Sequence, residues 1–179
     1  MNLEDIFSTA ERIKILQKII YLEEPFGVNE IARNLGLSKG LVSKYFEILA
    51  KENILKKLKR KFVVGNNSNV KSIRIMLNIQ KIPKEIFKKY KFVKAVGLYG
   101  SCAKGTNTES SDIDLWIKIE RAKDEDIAKL TSELKKRIGN AKILILDNEK
   151  LKLIKKEDPL FYNSLYFGSI VLYGKENEI

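Results

Sequence analysis

The chain has 179 residues, 44% of them hydrophobic, enough for one medium domain or two small ones with a buried core. Its single cysteine, Cys102, excludes an intrachain disulfide, and the absence of histidine excludes Ser-His and Cys-His catalysis and most zinc sites. The net charge of +11 favours a polyanionic partner, and the apolar runs are too short to span a bilayer, so a soluble cytoplasmic protein with no membrane partner is expected.

In chain order, Leu3 to Tyr21 reads as one amphipathic helix, with Ile6, Ala10, Ile13, Leu16 and Ile20 at helical spacing and Pro25 beyond its end. A short helix from Val28 to Leu35 follows. Then come Gly36, Leu37 and Ser38, the last placed to cap a third helix from Lys39 to about Glu52. Two apolar-flanked runs, Ile54–Leu58 and Phe62–Gly65, flank the cationic Lys59-Arg60-Lys61 and predict a hairpin. The polar stretch Asn66 to Asn69 marks the domain junction. Val70 to Lys81 is a connecting helix, with Val70, Ile73, Leu77 and either Met76 or Ile79 on one side.

Small Ala32, the turn at Gly36 and apolar Ile31, Leu35, Leu37 and Val42 have the proportions of a helix-turn-helix. With the hairpin, this part resembles the winged-helix domains of archaeal and bacterial transcription regulators. The resemblance implies a helix in the major groove of double-stranded DNA, presenting Lys39, Ser43, Lys44 and Glu47, while Lys56, Lys57, Lys59, Arg60 and Lys61 meet phosphates. Charge distribution agrees. Residues 1–82 carry 15 basic and 8 acidic side chains against 19 and 15 in the remainder, and no acidic residue lies between Asn53 and Lys84. The competing reading is a protein-interaction module with a solvated lysine face.

Beyond Pro83, a short helix is expected at Glu85–Tyr90 and a strand at Phe92–Tyr99. A second strand begins at Asp112 and runs to Ile119, followed by a helix at Asp126–Ile138 and a third strand at Lys142–Leu146. A helix around Pro159–Phe167 and a strand near Ile170–Tyr173 close the chain.

The chemical information lies between Leu98 and Trp116. Gly100 and Ser101 follow a strand and offer close backbone approach, a hydroxyl and free amides to a phosphate chain. Ser111 opens Ser-Asp-Ile-Asp, and strand alternation places Asp112 and Asp114 on one face with Ile113 turned into the core. Two carboxylates so placed repel unless a cation bridges them, and Mg2+ suits such hard oxygen ligands. Lys104 is placed either to pair with phosphate or simply to be solvated. Cys102 is expected to fill a small buried space in the loop.

The segment from Gly100 to Gly105, with Ser111 to Leu115, is similar to the Gly-Ser-x-Ala-Arg/Lys-Gly and Ser-Asp-x-Asp signature of the minimal nucleotidyltransferases of the polymerase-beta superfamily. The resemblance covers about residues 83–175. It implies Mg2+ held by Asp112 and Asp114, an NTP, most simply ATP, held by Gly100, Ser101, Lys104 and Ser111, and NMP transfer to a hydroxyl. A protein acceptor is among the implied partners, because related small nucleotidyltransferases act as antitoxins that modify a partner. One departure is visible: the third carboxylate that such enzymes carry on the neighbouring strand falls at about Leu144, which can neither bind metal nor accept a proton. Asp147 is the nearest acid, of opposite parity and better suited to capping.

The expected architecture is thus α+β: a winged helix of three helices and a hairpin at 1–68, a connecting helix at 69–82, and a nucleotidyltransferase-like domain with a mixed sheet at 83–179. The contrasting expectation is a transcription regulator whose second domain senses nucleotide without turnover. A homodimer is compatible with either, since winged helices often read paired half-sites.

Overall fold

The computed structural model describes residues 1–175; residues 176–179 of the expected 83–179 domain lie outside the described residues. The chain divides into two compact units, Met1–Arg74 with Asn107–Glu109, and Ile75–Thr106 with Ser110–Ile179.

In the first unit, the expected continuous helix is two helices, α1 (Leu3–Phe7) and α2 (Ala10–Ile19). Thr9 has extended backbone and its hydroxyl accepts from the Arg12 amide, so it starts a new helix where periodicity suggested an interior turn. Arg12 completes the break by donating to the Asp5 carbonyl, one of the acceptors that α1 leaves unpaired. The restart changes which residues face inward. Ile6, Leu16 and Ile20 are buried, but so are Ile15 and Ile19, whereas Ala10 is exposed and Ile13 is half-buried.

Helix α3 (Val28–Leu35) ends on Gly36 in the left-handed conformation, and Ser38 caps α4 (Lys39–Lys51) through the Leu41 amide. Strands β1 (Leu55–Leu58) and β2 (Lys61–Val64) form the antiparallel hairpin, in which Leu58 faces Lys61. Lys61 therefore belongs to a strand, and only Lys59 and Arg60 make the turn, with Lys59 at φ 54°. Phe26 adds a bridge to Phe62, and Phe46 packs edge-on against both rings at 5.6 and 5.0 Å. The buried Tyr45 hydroxyl donates to the Ile6 carbonyl, which ties α4 to α1.

Helix α5 (Ser68–Gln80) contains the boundary between the units, after Arg74. Val70, Ile73 and Leu77 are buried as expected, with Ile79 half-buried and Met76 exposed.

In the second unit, α6 (Glu85–Lys89) precedes β3 (Val93–Tyr99), the one-turn α7 (Gly100–Lys104) and β4 (Ile113–Ile119). Helix α8 (Asp124–Ile138) carries three acids in its first turn and three bases in its last, matching its dipole, and leads into β5 (Ala141–Leu146). Helices α9 (Asn148–Glu157) and α10 (Pro159–Gly168) and strand β6 (Ile170–Tyr173) follow. The described residues form a mixed sheet in the order β5-β4-β3-β6, with β4 and β5 parallel and the other pairs antiparallel.

Alternation along β4 separates two cores. Ile113, Leu115, Ile117 and Ile119 face Ile86, Phe87, Leu130 and Leu134 of α6 and α8. On the opposite face, Trp116 packs with Ala95, Leu144, Leu146 and Leu165, covered by α9 and α10. Helix α9 was not foreseen: its sequence is lysine-rich and none of its residues is fully buried, so its periodic signal is weak. It is started by Asp147, whose carboxylate accepts from the Lys150 amide, so the capping expectation for this acid holds. Among the described residues, no helix is long and apolar enough to cross a membrane.

Candidate functional site

The signature residues converge where the two central strands of the sheet meet, at the end of β3 and the start of β4. Strand β3 ends at Tyr99, which lies in antiparallel register with Asp114, and the chain then turns sharply at Gly100. Glycine is required there twice. Its φ is +69°, and a Cβ would stand 2.4 Å from Asp114 Oδ2. The carboxylate is thus packed directly on the backbone of the turn expected to cradle phosphate.

Helix α7 is held from behind by two groups. The Cys102 thiol, buried and with its pKa pushed up to about 11 chiefly by that burial, donates to the Asp112 carbonyl at 3.3 Å. Buried Asn78 donates to the Cys102 carbonyl at 2.9 Å. Cys102 is therefore buried as expected, although in the turn of helix α7 and not in a loop, and at neutral pH it is an inert thiol. Asn78 was not singled out from the sequence, because a polar residue inside a helical period carries no sign of burial.

Asp112 precedes β4 and Asp114 is its second residue, with buried Ile113 between them, so both carboxylates project on the face opposite the α6/α8 core. Burial raises the Asp114 pKa; Lys142 draws it down and Asp112 pushes it up. Tyr99, opposite, is raised by burial and then by Asp114. Ser101 is half-buried, Lys104 is exposed, and the Ser111 carbonyl accepts from Asn140 Nδ2 at 2.6 Å, which joins the start of β5 to this loop.

On the neighbouring strand β5, the register differs from the one expected. Leu144 is not the residue level with the carboxylates: it pairs in register with Trp116 and packs in the apolar cluster under α9 and α10. The residue in register with Asp114 is Lys142, whose Nζ lies 2.5 Å from Asp112 Oδ2. That contact raises the lysine pKa, first through its hydrogen bond to Asp112. Sequence could place Lys142 on a strand, but only pairing register shows which residue it stands beside.

The donor set, two hard carboxylate oxygens beside a glycine turn, fits one divalent cation of the magnesium type. Among the described residues, no group of three or more His, Cys, Asp or Glu is placed to hold a metal. Grooves along α8, lined by Ile127, Thr131 and Lys135, include none of the signature residues.

In the first unit, Lys39, Ser43 and Lys44 are exposed on α4, and Lys56, Lys59, Arg60 and Lys61 are exposed on the hairpin. Lys57 differs from its neighbours. Its Nζ is 3.1 Å from Glu47 of α4, so both the lysine and the acid expected to face outward are engaged with each other.

Comparison with curated proteins finds no match. Among solved structures, the chain is similar to a nucleotidyltransferase from Sulfolobus solfataricus, at 18% identity and a TM-score of 0.39, over 64% of this chain and 94% of that one. It is also similar to the tri-AMPylated Shewanella oneidensis HEPN toxin in complex with MNT antitoxin, at 13% identity and a TM-score of 0.37, over 57% and 74% of the two chains. A toxin–antitoxin structure with AMP-PNP matches at 18% identity and a TM-score of 0.34, over 61% and 75%. The family model for polymerase beta nucleotidyltransferases matches residues 80–178, more than half of the sequence and all of the site just described, and the chain belongs to that family.

Proposed function

We propose that residues 83–179 bind a magnesium–NTP complex, most simply with ATP, and transfer its nucleoside monophosphate to a hydroxyl, with a protein side chain as the favoured acceptor. The carrying observation is the Asp112/Asp114 pair projecting beside Gly100, with Asp114 packed on the turn itself. In this reading Asp112 and Asp114 hold the cation, Gly100, Ser101 and Ser111 receive the triphosphate, and Lys104 meets its outer oxygens. The bound cation would withdraw negative charge from the phosphate oxygens. The acceptor oxygen bonds to the α-phosphorus, the bond from that phosphorus to the β-bridging oxygen breaks, pyrophosphate leaves, and the hydroxyl proton passes to solvent or to a base on the acceptor.

The test is incubation of the protein with labelled NTPs, magnesium and cell extract. Label transfer that Asp112→Ala abolishes is expected. The second reading, a nucleotide sensor without turnover, is favoured by one observation: a lysine, not a third acid, stands level with Asp114. Magnesium-dependent NTP binding without any transfer would establish that reading over the first.

For residues 1–68 we infer winged-helix binding to double-stranded DNA, supported by the exposure of Lys39, Ser43 and Lys44 on one helix and of Lys56, Lys59, Arg60 and Lys61 on the hairpin. Such binding would let the protein act in transcription regulation. Changing Lys59, Arg60 and Lys61 to alanine is expected to weaken binding and to reduce the slope of log affinity against log salt by roughly 2–3. An unchanged slope in a gel-shift salt series would remove the hairpin from the interface.

A further inference from the structure

The position level with Asp114 on β5 holds a cation of the protein's own. We propose that Lys142 is an internal counter-ion for the Asp112/Asp114 pair, which a divalent cation must displace from Asp112, so that metal entry is coupled to the arrival of a nucleotide. The inference rests on the proposed metal site.

Three observations carry it. The Lys142 ammonium is already in contact with an oxygen that the metal would need, at 2.5 Å from Asp112 Oδ2. The contact is reversible by construction: the Lys142 side chain is 67% exposed and that of Asp112 is 40% exposed, so the ammonium swings on its flexible stem at little cost in desolvation. Third, the charge arithmetic changes. Two carboxylates and one ammonium leave a single net negative charge at the pair, and affinity of oxygen sites for divalent cations follows the charge of the ligands.

An incoming triphosphate alters this balance by offering the ammonium another anion. Lys142 then leaves Asp112 to the metal and gains phosphate oxygens, so each ligand favours the other's binding by the same factor. Without a nucleotide, the lysine weakens the hold of the pair on free cations. A lysine here would therefore lower the occupancy of an otherwise incomplete acidic site by stray metal.

The test is Mn2+ binding by the full chain without nucleotide, read as loss of the free-ion electron paramagnetic resonance signal. Lys142→Met is expected to bind Mn2+ about fivefold more tightly than the unaltered protein, the gain set by loss of a solvent-exposed ion pair. Lys142→Arg, which keeps the charge, and Lys88→Met, which removes a charge from the exposed side of α6, should each stay within about twofold. A Lys142→Met affinity within that range, or an equal gain in Lys88→Met, overturns the counter-ion role.

The triple variant Asp112→Asn, Asp114→Asn, Lys142→Met separates the role of Lys142 from the metal assignment. If it no longer binds Mn2+ while Lys142→Met alone shows no gain, only the role of Lys142 fails. If it still binds as Lys142→Met does, or if no form of the protein binds Mn2+, the metal assignment fails and this inference with it.

Discussion

Asp114→Asn is expected to melt higher than the unaltered protein while losing magnesium-dependent NTP binding. The Asp114 carboxylate pays for its position in the folded state: burial, its largest influence, raises its pKa, and the repulsion of Asp112 adds to this against the pull of Lys142. The sign follows from linkage. A carboxyl whose folded pKa is raised contributes stability below its ordinary pKa and loses it as pH rises through the folded value, so the ionised form weakens the fold at neutral pH. Asparagine keeps the shape and removes the charge. Solvent screening of this partly exposed group keeps the gain small, a melting rise of about 1–3 °C at neutral pH that disappears in acid. Calorimetry at two pH values, paired with NTP binding, measures both halves. A variant that melts lower at neutral pH would contradict the electrostatic account, and one that still binds magnesium–NTP would contradict the site assignment. Opposite signs for stability and binding are the mark of a residue kept for function.

Gly97→Ala is expected to destabilise the second unit by about 3 kcal/mol, at the upper end for overpacking by one methyl group. Gly97 lies in the middle of β3 and has hydrogen-bonded strands on both sides. A Cβ there would stand 2.3 to 2.5 Å from three atoms of the Trp116 ring. The ring has no route of retreat. Trp116 is fully buried, is packed by Ala95, Leu146 and Leu165, and is fixed by donation from Nε1 to Ser169 Oγ at 2.9 Å. For a chain of this size the melting temperature should fall by about 6–12 °C. The effect should shrink when Trp116 is also replaced by leucine, because the clash and its relief are one interaction. A thermal scan in which Gly97→Ala melts within about 1 °C of the unaltered protein would mean that the strand relaxes at no cost.

Much of this molecule is written in local pattern. The Gly100-Ser101 turn, the alternation that turns Asp112 and Asp114 to one face and Ile113 to the other, the Ser38 and Asp147 caps and the Lys59-Arg60 turn each depend on a few adjacent residues. Local chemistry acts over one turn or one strand step, so a single sequence suffices to read it. The same locality explains the error at Thr9. Helical spacing on both sides of a cap is indistinguishable from one long helix unless the cap's own hydrogen bond is weighed against periodicity.

The neighbours across the sheet are a different matter. That Lys142 stands beside Asp112 and Asp114, that Leu144 stands beside Trp116, and that Asn78 reaches Cys102 are relations between residues dozens of positions apart. They are set by strand register and helix docking, in which a slip of one residue exchanges the buried and exposed faces of a strand. The family signature, the carboxylate pair and the turn beside it are legible along the chain, because their residues are contiguous. The charge that faces the pair is set by strand register, because parallel pairing of β4 with β5 brings a lysine level with Asp114.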